Sequence, residues 1–203
     1  MSILRELFGP SKEEIWRQLS AEIGAKFVEG GLLRGAKVQA RVKQWTVTLD
    51  IYTISTGRST HHYTRLRAPF VNADGFRFQI YRAGIFSDLG KRLGMRDIEI
   101  GYPDFDRDFV IKGNDEQRLR RLFSYEKIRT LLQEQPDVRF EVVDDEGWFG
   151  ADFPQGVDEL RFQVSGIIKD LHLLKQLFEL FAVTLDQLCM MGSAYLSEPN
   201  IEL

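Results

Sequence analysis

Residues 45–82 constrain this chain more than any other stretch. Trp45, Val47, Leu49 and Ile51 alternate with Thr46, Thr48, Asp50 and Tyr52. Leu66, Ala68 and Phe70 alternate with Arg65, Arg67 and Pro69, and Phe76, Phe78 and Ile80 with Arg77, Gln79 and Tyr81. A period of two sends successive side chains to opposite faces of a strand. Gly57-Arg58 suits a two-residue hairpin turn of type II′, with glycine supplying the positive φ. Asn72-Ala73-Asp74-Gly75 suits a slightly longer turn.

The turns predict a register. Centring the first hairpin on Gly57-Arg58 sets Leu49 opposite Leu66, Val47 opposite Ala68 and Trp45 opposite Phe70. A slip of one residue would set Leu49 against an arginine, so the apolar pattern supports this pairing. Extending the sheet through the second turn pairs Leu66 with Ile80, Ala68 with Phe78 and Phe70 with Phe76. The opposite face then carries a row of Asp50, Arg65 and Tyr81 and a row of Thr48, Arg67 and Gln79. Tyr52 meets Tyr63, Ile54 meets His61, and Arg77 lies near Pro69.

The remaining segments read in order. Ile3, Leu4, Leu7 and Phe8 lie on one side of a short helix, whose polar side, with Arg5 and Glu6, is not the basic face of a membrane-surface anchor, so docking on the domain's own core fits better. Ser11 with Glu14 forms a capping box for a helix striped with Ile15, Trp16, Leu19 and Ile23. Val38, Ala40 and Val42 alternate as a strand, Gly84, Gly90 and Gly94 punctuate a loop with a short helix from Ser87, and Ile98, Ile100, Phe109 and Ile111 suggest two short strands. Asn114 with Gln117 opens a helix, Ser124 opens another, and Pro136 ends it. Val138, Phe140 and Val142 form a strand, Trp148, Phe149 and Phe153 an aromatic loop, and Leu160, Phe162 and Val164 a last strand. Ile167, Leu171, Leu174, Phe178, Phe181, Leu185 and Leu188 then recur at heptad-compatible steps along a helix over 167–191. Two readings fit that seam: packing across the open sheet, and a homo-oligomer interface.

Composition narrows the function classes. One cysteine, Cys189, excludes an internal disulfide framework and suits a reducing compartment. No apolar run approaches the ~20 residues of a membrane helix, and the start of the chain lacks a secretory leader pattern, so a cytoplasmic location is expected. A net charge of −3 is no nucleic-acid signature. His61 and His62 are adjacent on a strand and point apart, and no Cys-x-x-Cys or His-x-x-x-His occurs, so no metal or other cofactor is expected. Gly90-Lys91 fails as a phosphate loop on spacing. Asp104, Asp106 and Asp108 start like a calcium loop, but Phe109 stands where it needs glycine; an acidic, solvated turn fits better. No Gly-x-Ser-x-Gly elbow or acid/base pair stands out.

The candidate binding residues are therefore Arg65, Arg67, Arg77, Tyr52, Tyr63, Tyr81 and His61, on the polar sheet face. Arginines offer bidentate donors to anionic groups and tyrosines offer stacking surface. The alternative is an ordinary solvated face stabilised by the Asp50–Arg65 and Tyr52–Tyr63 cross-strand pairs.

Several segments resemble a bacterial family known only as a domain of unknown function. They are Trp45–Asp50, Tyr63–Phe70, Asp74–Phe78, Phe105–Asp115, Glu146–Gly150 and Gly192-Ser193-Ala194, and the likeness spans 37–194. The resemblance implies no activity, cofactor or catalytic residue. Some members carry membrane segments that this chain lacks, so a membrane role does not transfer. Antiparallel strands followed by one long helix are also similar to pleckstrin-homology-like bacterial proteins, from which the helical pair at 115–134 would be an insertion.

The expectation is one α+β domain: a strongly bent, largely antiparallel sheet, similar to the pleckstrin-homology-like architecture, with an N-terminal helix and a long C-terminal helix. Its parts are a helical segment (1–30), a sheet (35–113), a helical pair (114–135), further strands (137–165) and the last helix (166–191). A non-catalytic binding or assembly module is the first functional reading, with a protein or an anionic ligand as its partner. An enzyme acting on a phosphorylated or anionic substrate is the second.

Overall fold

The computed structural model describes residues 9–31, 35–84, 96–144, 153–199 and 201. The helix expected within 2–9, the loop around Gly90 and Lys91 and the Trp148-Phe149 turn lie outside these residues. The elements run α1 (Lys12–Ile23), β1 (Lys26–Val28), β2 (Lys37–Val42), β3 (Trp45–Ser55), β4 (Thr60–Val71), β5 (Phe78–Arg82), β6 (Arg96–Asp97), α2 (Pro103–Asp108), β7 (Phe109–Gly113), α3 (Glu116–Phe123), α4 (Glu126–Glu134), β8 (Arg139–Val143), β9 (Val157–Ser165) and α5 (Leu171–Met190). The strands form one nine-stranded sheet in the order β1-β2-β3-β4-β9-β8-β5-β7-β6. Every strand pair in it is antiparallel. The fold is α+β.

The first hairpin takes the register that the apolar alternation predicts. Leu49 pairs with Leu66, Asp50 with Arg65 and Tyr52 with Tyr63. Gly57 sits at φ 59°, a conformation that costs a side chain but not glycine.

The second hairpin does not form. Leu66 faces Phe162 of β9, and Ile80 lies between Phe140 of β8 and Ile111 of β7. Period-two alternation assigns a residue to a face; it does not name the neighbouring strand. The loop shows why the chain departs. Asn72 Oδ1 accepts from the backbone N–H of Gly75 at 3.0 Å, while its Nδ2 donates to Phe76 O at 3.1 Å and to Asp158 at 2.6 Å. Asp74 pairs with Arg118 of α3 and accepts from Ser193 Oγ at 2.9 Å. Asn114 donates to Gly75 O at 2.7 Å. These bonds hold the loop on α3 and residue 193, away from a tight return.

The same bonds correct two helix starts. Asn114 serves the loop, so Asp115 caps α3 by accepting from Arg118 N at 3.0 Å. Ser124 closes α3, donating to Arg121 O, and Tyr125 precedes α4 without a side-chain cap. The α1 capping box forms as expected: Glu14 N donates to Ser11 Oγ at 3.2 Å and Ser11 N to Glu14 Oε2 at 2.8 Å. The expected acidic turn is instead the helix α2. Asp106 accepts from the backbone N–H groups of Ile100, Gly101 and Tyr102, each at 2.9 Å.

One hydrophobic core joins the helices to one face of the sheet. Trp16 and Leu19 of α1, Leu122 and Phe123 of α3, Ile128 and Leu132 of α4, and Leu174, Phe181, Leu185 and Leu188 of α5 are buried with Val47, Leu66, Phe140 and Phe162. Phe140 lies edge-on to Phe181 at 5.6 Å and to Phe78 at 5.7 Å. Each such ring contributes ~1.5–3 kcal/mol by leaving water. From Leu171 on, the heptad seam is thus taken up within the chain, while Ile167 ahead of α5 stays exposed. The outer flank of α5 is polar, with Lys175 paired to Glu22, Glu179 to Lys127 and Asp186 to Lys43.

The last helix starts later than its apolar pattern predicts. Gly166 N donates to His62 O at 2.7 Å, and Thr64 N to Gly166 O at 2.9 Å. Ile168 N donates to Thr64 Oγ1 at 2.9 Å. These bonds hold 166–168 beside β4, outside the helix, and Asp170 then caps α5.

Candidate functional site

The helices leave the opposite face of the sheet to polar residues, and two features stand out on it. The first is an arm. β2 pairs with β3 only along Trp45–Leu49, and β9 pairs with β4 only from Thr64 onward. Beyond those limits the two long strands continue as a hairpin, flanked at His62–Thr64 by Gly166, with rows Tyr52–Tyr63, Thr53–His62, Ile54–His61 and Ser55–Thr60. A free hairpin is marginal in water; this one is held because both strands continue into the sheet. At its end Thr56 Oγ1 and Ser59 Oγ lie 2.9 Å apart, and Ser55 Oγ and Thr60 Oγ1 3.3 Å.

Tyr52, Ile54, His61 and Tyr63 share one face of this arm. The Tyr52 and Tyr63 rings lie 6.4 Å apart, and the Arg65 guanidinium sits 4.8 Å from the Tyr52 ring centroid. Tyr52 and Ile54 remain 38% and 37% exposed. His61 Nε2 lies 3.2 Å from Ser59 Oγ, and His62, on the other face, has Nδ1 3.0 Å from Thr53 Oγ1. The structure therefore brings together four of the seven candidate residues: Tyr52, Tyr63, His61 and Arg65.

The second feature is a charged row under the arm. In register, Gln39, Thr48, Arg67, Arg161, Glu141, Gln79, Lys112 and Asp97 run across successive strands. Arg65 grips Asp50 with two bonds, Nε at 2.9 Å and Nη2 at 3.0 Å, and Arg67 Nη2 reaches the same carboxylate at 2.5 Å. Arg67 also lies 4.0 Å from the buried Glu159. Glu141 accepts from Gln79 Nε2 at 2.9 Å, Arg161 Nη2 at 2.8 Å and Arg139 Nη2 at 3.2 Å. Lys112 pairs with Asp97 at 3.1 Å. Charges leave water at high cost unless they are paired, and here the cations pair with Asp50, Glu141 and Asp97. The row is thus an internal ion network.

The expected rows are corrected beyond β4. The neighbour of Arg65 is Gln163, and Tyr81 lies opposite Arg139, two strands further on. Tyr81 is buried beside Lys112. Arg77 leaves the face altogether: its Nε donates to Asp158 at 3.1 Å and its Nη1 to Asp144 at 2.6 Å. Burial works against the charge of Arg77, and the two carboxylates outweigh it, so its pKa is raised. Glu159 lies opposite Pro69, where Arg77 had been expected.

Sequence reasoning missed Arg139, Glu141, Glu159 and Arg161. Their signal was present in the alternations Arg139-Phe140-Glu141-Val142 and Glu159-Leu160-Arg161-Phe162. It becomes informative only once these two strands are neighbours.

No family model matches the chain, and neither does any curated protein. Among solved structures it is similar to the mycobacterial trehalose monomycolate transport factor A, TtfA. The likeness is one of fold. The match has a TM-score of 0.51 and covers 94% of this chain and 98% of that one, at 7% sequence identity. Among the described residues, no helix is long and apolar enough to cross a membrane.

Proposed function

We propose that this chain is a non-catalytic binding or assembly module, and that the Tyr52–Tyr63 arm is its contact surface. The arm carries the reading: two tyrosines, an isoleucine and a histidine stand on one face of a braced hairpin, with Tyr52, Ile54 and His61 exposed and Tyr63 half-buried. Tyrosine suits a contact surface because it buries a large ring at little entropic cost while its hydroxyl keeps a polar partner. Bracing by the sheet lowers the ordering cost of binding. The similar fold of a protein named as a transport factor fits a module without catalysis.

The enzyme reading requires Arg65, Arg67, His61 and Tyr63 to converge on a substrate. Both guanidiniums instead close on Asp50, and His61 turns to Ser59. The binding reading fits this arrangement better.

The test is a pull-down with the full chain and a Tyr52→Ala plus Ile54→Ala variant. Both side chains are exposed, so the melting temperature should hold. Contact residues of this kind contribute ~1–2 kcal/mol each, so affinity for a genuine partner should fall at least tenfold. If every partner captured by the wild type is retained by the variant, the arm is not the contact surface.

A further inference from the structure

A cleft of about 410 Å³ lies on the open face of the sheet, over β1, β2, β3 and β4. We propose that it is a binding site for a small anionic molecule carrying a carboxylate or phosphate group. Its position follows from register. Lys26 lies opposite Gln39, Gln39 opposite Thr48, and Arg41 opposite Thr46, so these side chains share the face that α1 does not cover. Lys37 pairs with Val28 and joins them. The volume falls within the ~300–1,000 Å³ of small-molecule sites.

The charged side chains that the strands give the lining are cationic, beside the apolar Val28, Pro69 and Ile201. Lys26 and Lys37 supply cations, and Gln39, Thr46 and Thr48 supply neutral donors. The acidic residue in the lining, Glu198, belongs to the segment that follows α5. That segment is tied to the sheet where Tyr195 N donates to Val71 O at 3.0 Å. It then places the Glu198 carboxylate 2.5 Å from Arg41 Nη1. Lys26 has no ion-pair partner among the described residues. Glu198 thus brings a carboxylate into the lining, held by the guanidinium of Arg41 beside the cleft on β2, which would serve an incoming oxyanion equally well. The hydrogen bond from Arg41 also holds the Glu198 carboxyl below its ordinary pKa, so it stays charged and competes for that guanidinium at neutral pH.

This site is distinct from the arm. Thr48 lies four residues before Tyr52 on the same strand. A ligand entering the cleft displaces Glu198 from Arg41, and Lys26 neutralises the charge it brings.

Calorimetric titration of the full chain with citrate, and separately with pyrophosphate, tests this at constant ionic strength. Saturable binding of one molecule is expected for at least one probe, and which one binds tells carboxylate from phosphate recognition. Lys26→Ala and Arg41→Ala should each weaken binding about tenfold or more, and Glu198→Gln should tighten it severalfold by removing the internal competitor. These side chains are on the surface, so unchanged circular dichroism confirms the fold of each variant. Absence of saturable heat with both probes overturns the proposal, as does equal binding by wild type and Lys26→Ala. A Glu198→Gln chain that binds no more tightly overturns the competition by Glu198.

Discussion

Glu141 gives the sharpest test of the ion network. Its side chain is 1% exposed and receives Gln79, Arg161 and Arg139. Glu141→Gln keeps the volume and removes the charge, leaving two guanidiniums facing a neutral amide. Removing one partner of a buried ion pair costs ~3–5 kcal/mol. The Arg161 and Arg139 side chains are 15% and 22% exposed, so water recovers part of that cost. The expected loss is ~2–4 kcal/mol. In a domain of this size each kcal/mol moves the melting temperature by about 2–4 °C, so the midpoint should fall by roughly 5–15 °C. Urea unfolding followed by tryptophan fluorescence gives the free energy directly, because Trp16 and Trp45 are fully buried. Neutralising Arg161 as well, with Arg161→Gln, should cost less than the two single losses added, by about 1 kcal/mol or more. A loss below ~1 kcal/mol for Glu141→Gln, or strict additivity in the double variant, would refute the reasoning. The row would then be a set of independent surface pairs.

Two further outcomes follow from packing and burial. A Cβ placed on Gly113 would meet Leu119 Cδ1 at 2.5 Å and the Arg77 backbone oxygen at 3.1 Å, so Gly113→Ala should cost ~1–3 kcal/mol by overpacking; an unchanged urea midpoint would show that α3 yields. Burial pushes the Cys189 thiol up, Asp186 adds to this and Lys43 opposes it. Alkylation by iodoacetamide at pH 8 should therefore run slower in the folded chain than in urea. The sign for stability follows: the folded thiol keeps its proton where the unfolded one loses it, so its contribution is full below the unfolded pKa and is lost as pH rises through the folded one. Equal alkylation rates in the two states would contradict the shift.

The proposed contact surface was partly legible from sequence. Tyr52, Tyr63, His61 and Arg65 meet as the hairpin register predicts, because that register rests on local turn chemistry and on apolar rows that cannot slip. That the arm stands clear of the sheet was not legible, since it depends on where β2 and β9 stop. The cleft at Lys26 was not legible either: its lining joins four strands and a segment that returns from beyond α5.

Local physics determined what the sequence alone could decide. Alternation assigned Leu66, Phe140 and Phe162 to the core face, Ser11 and Glu14 closed the start of α1, and glycine at 57 set the first hairpin. Tertiary structure decided which strands are neighbours. β9 lies beside β4 although about 95 residues separate Leu66 from Phe162, and β5 is displaced by two strands from the place its turn suggests. A period of two is the same for every partner, so several strand orders satisfy it. The choice among them rests on long-range terms: the Asp74–Arg118 and Asn114–Gly75 bonds that turn the loop aside, and the Arg161–Glu141 pair, which leaves water only when β8 and β9 meet.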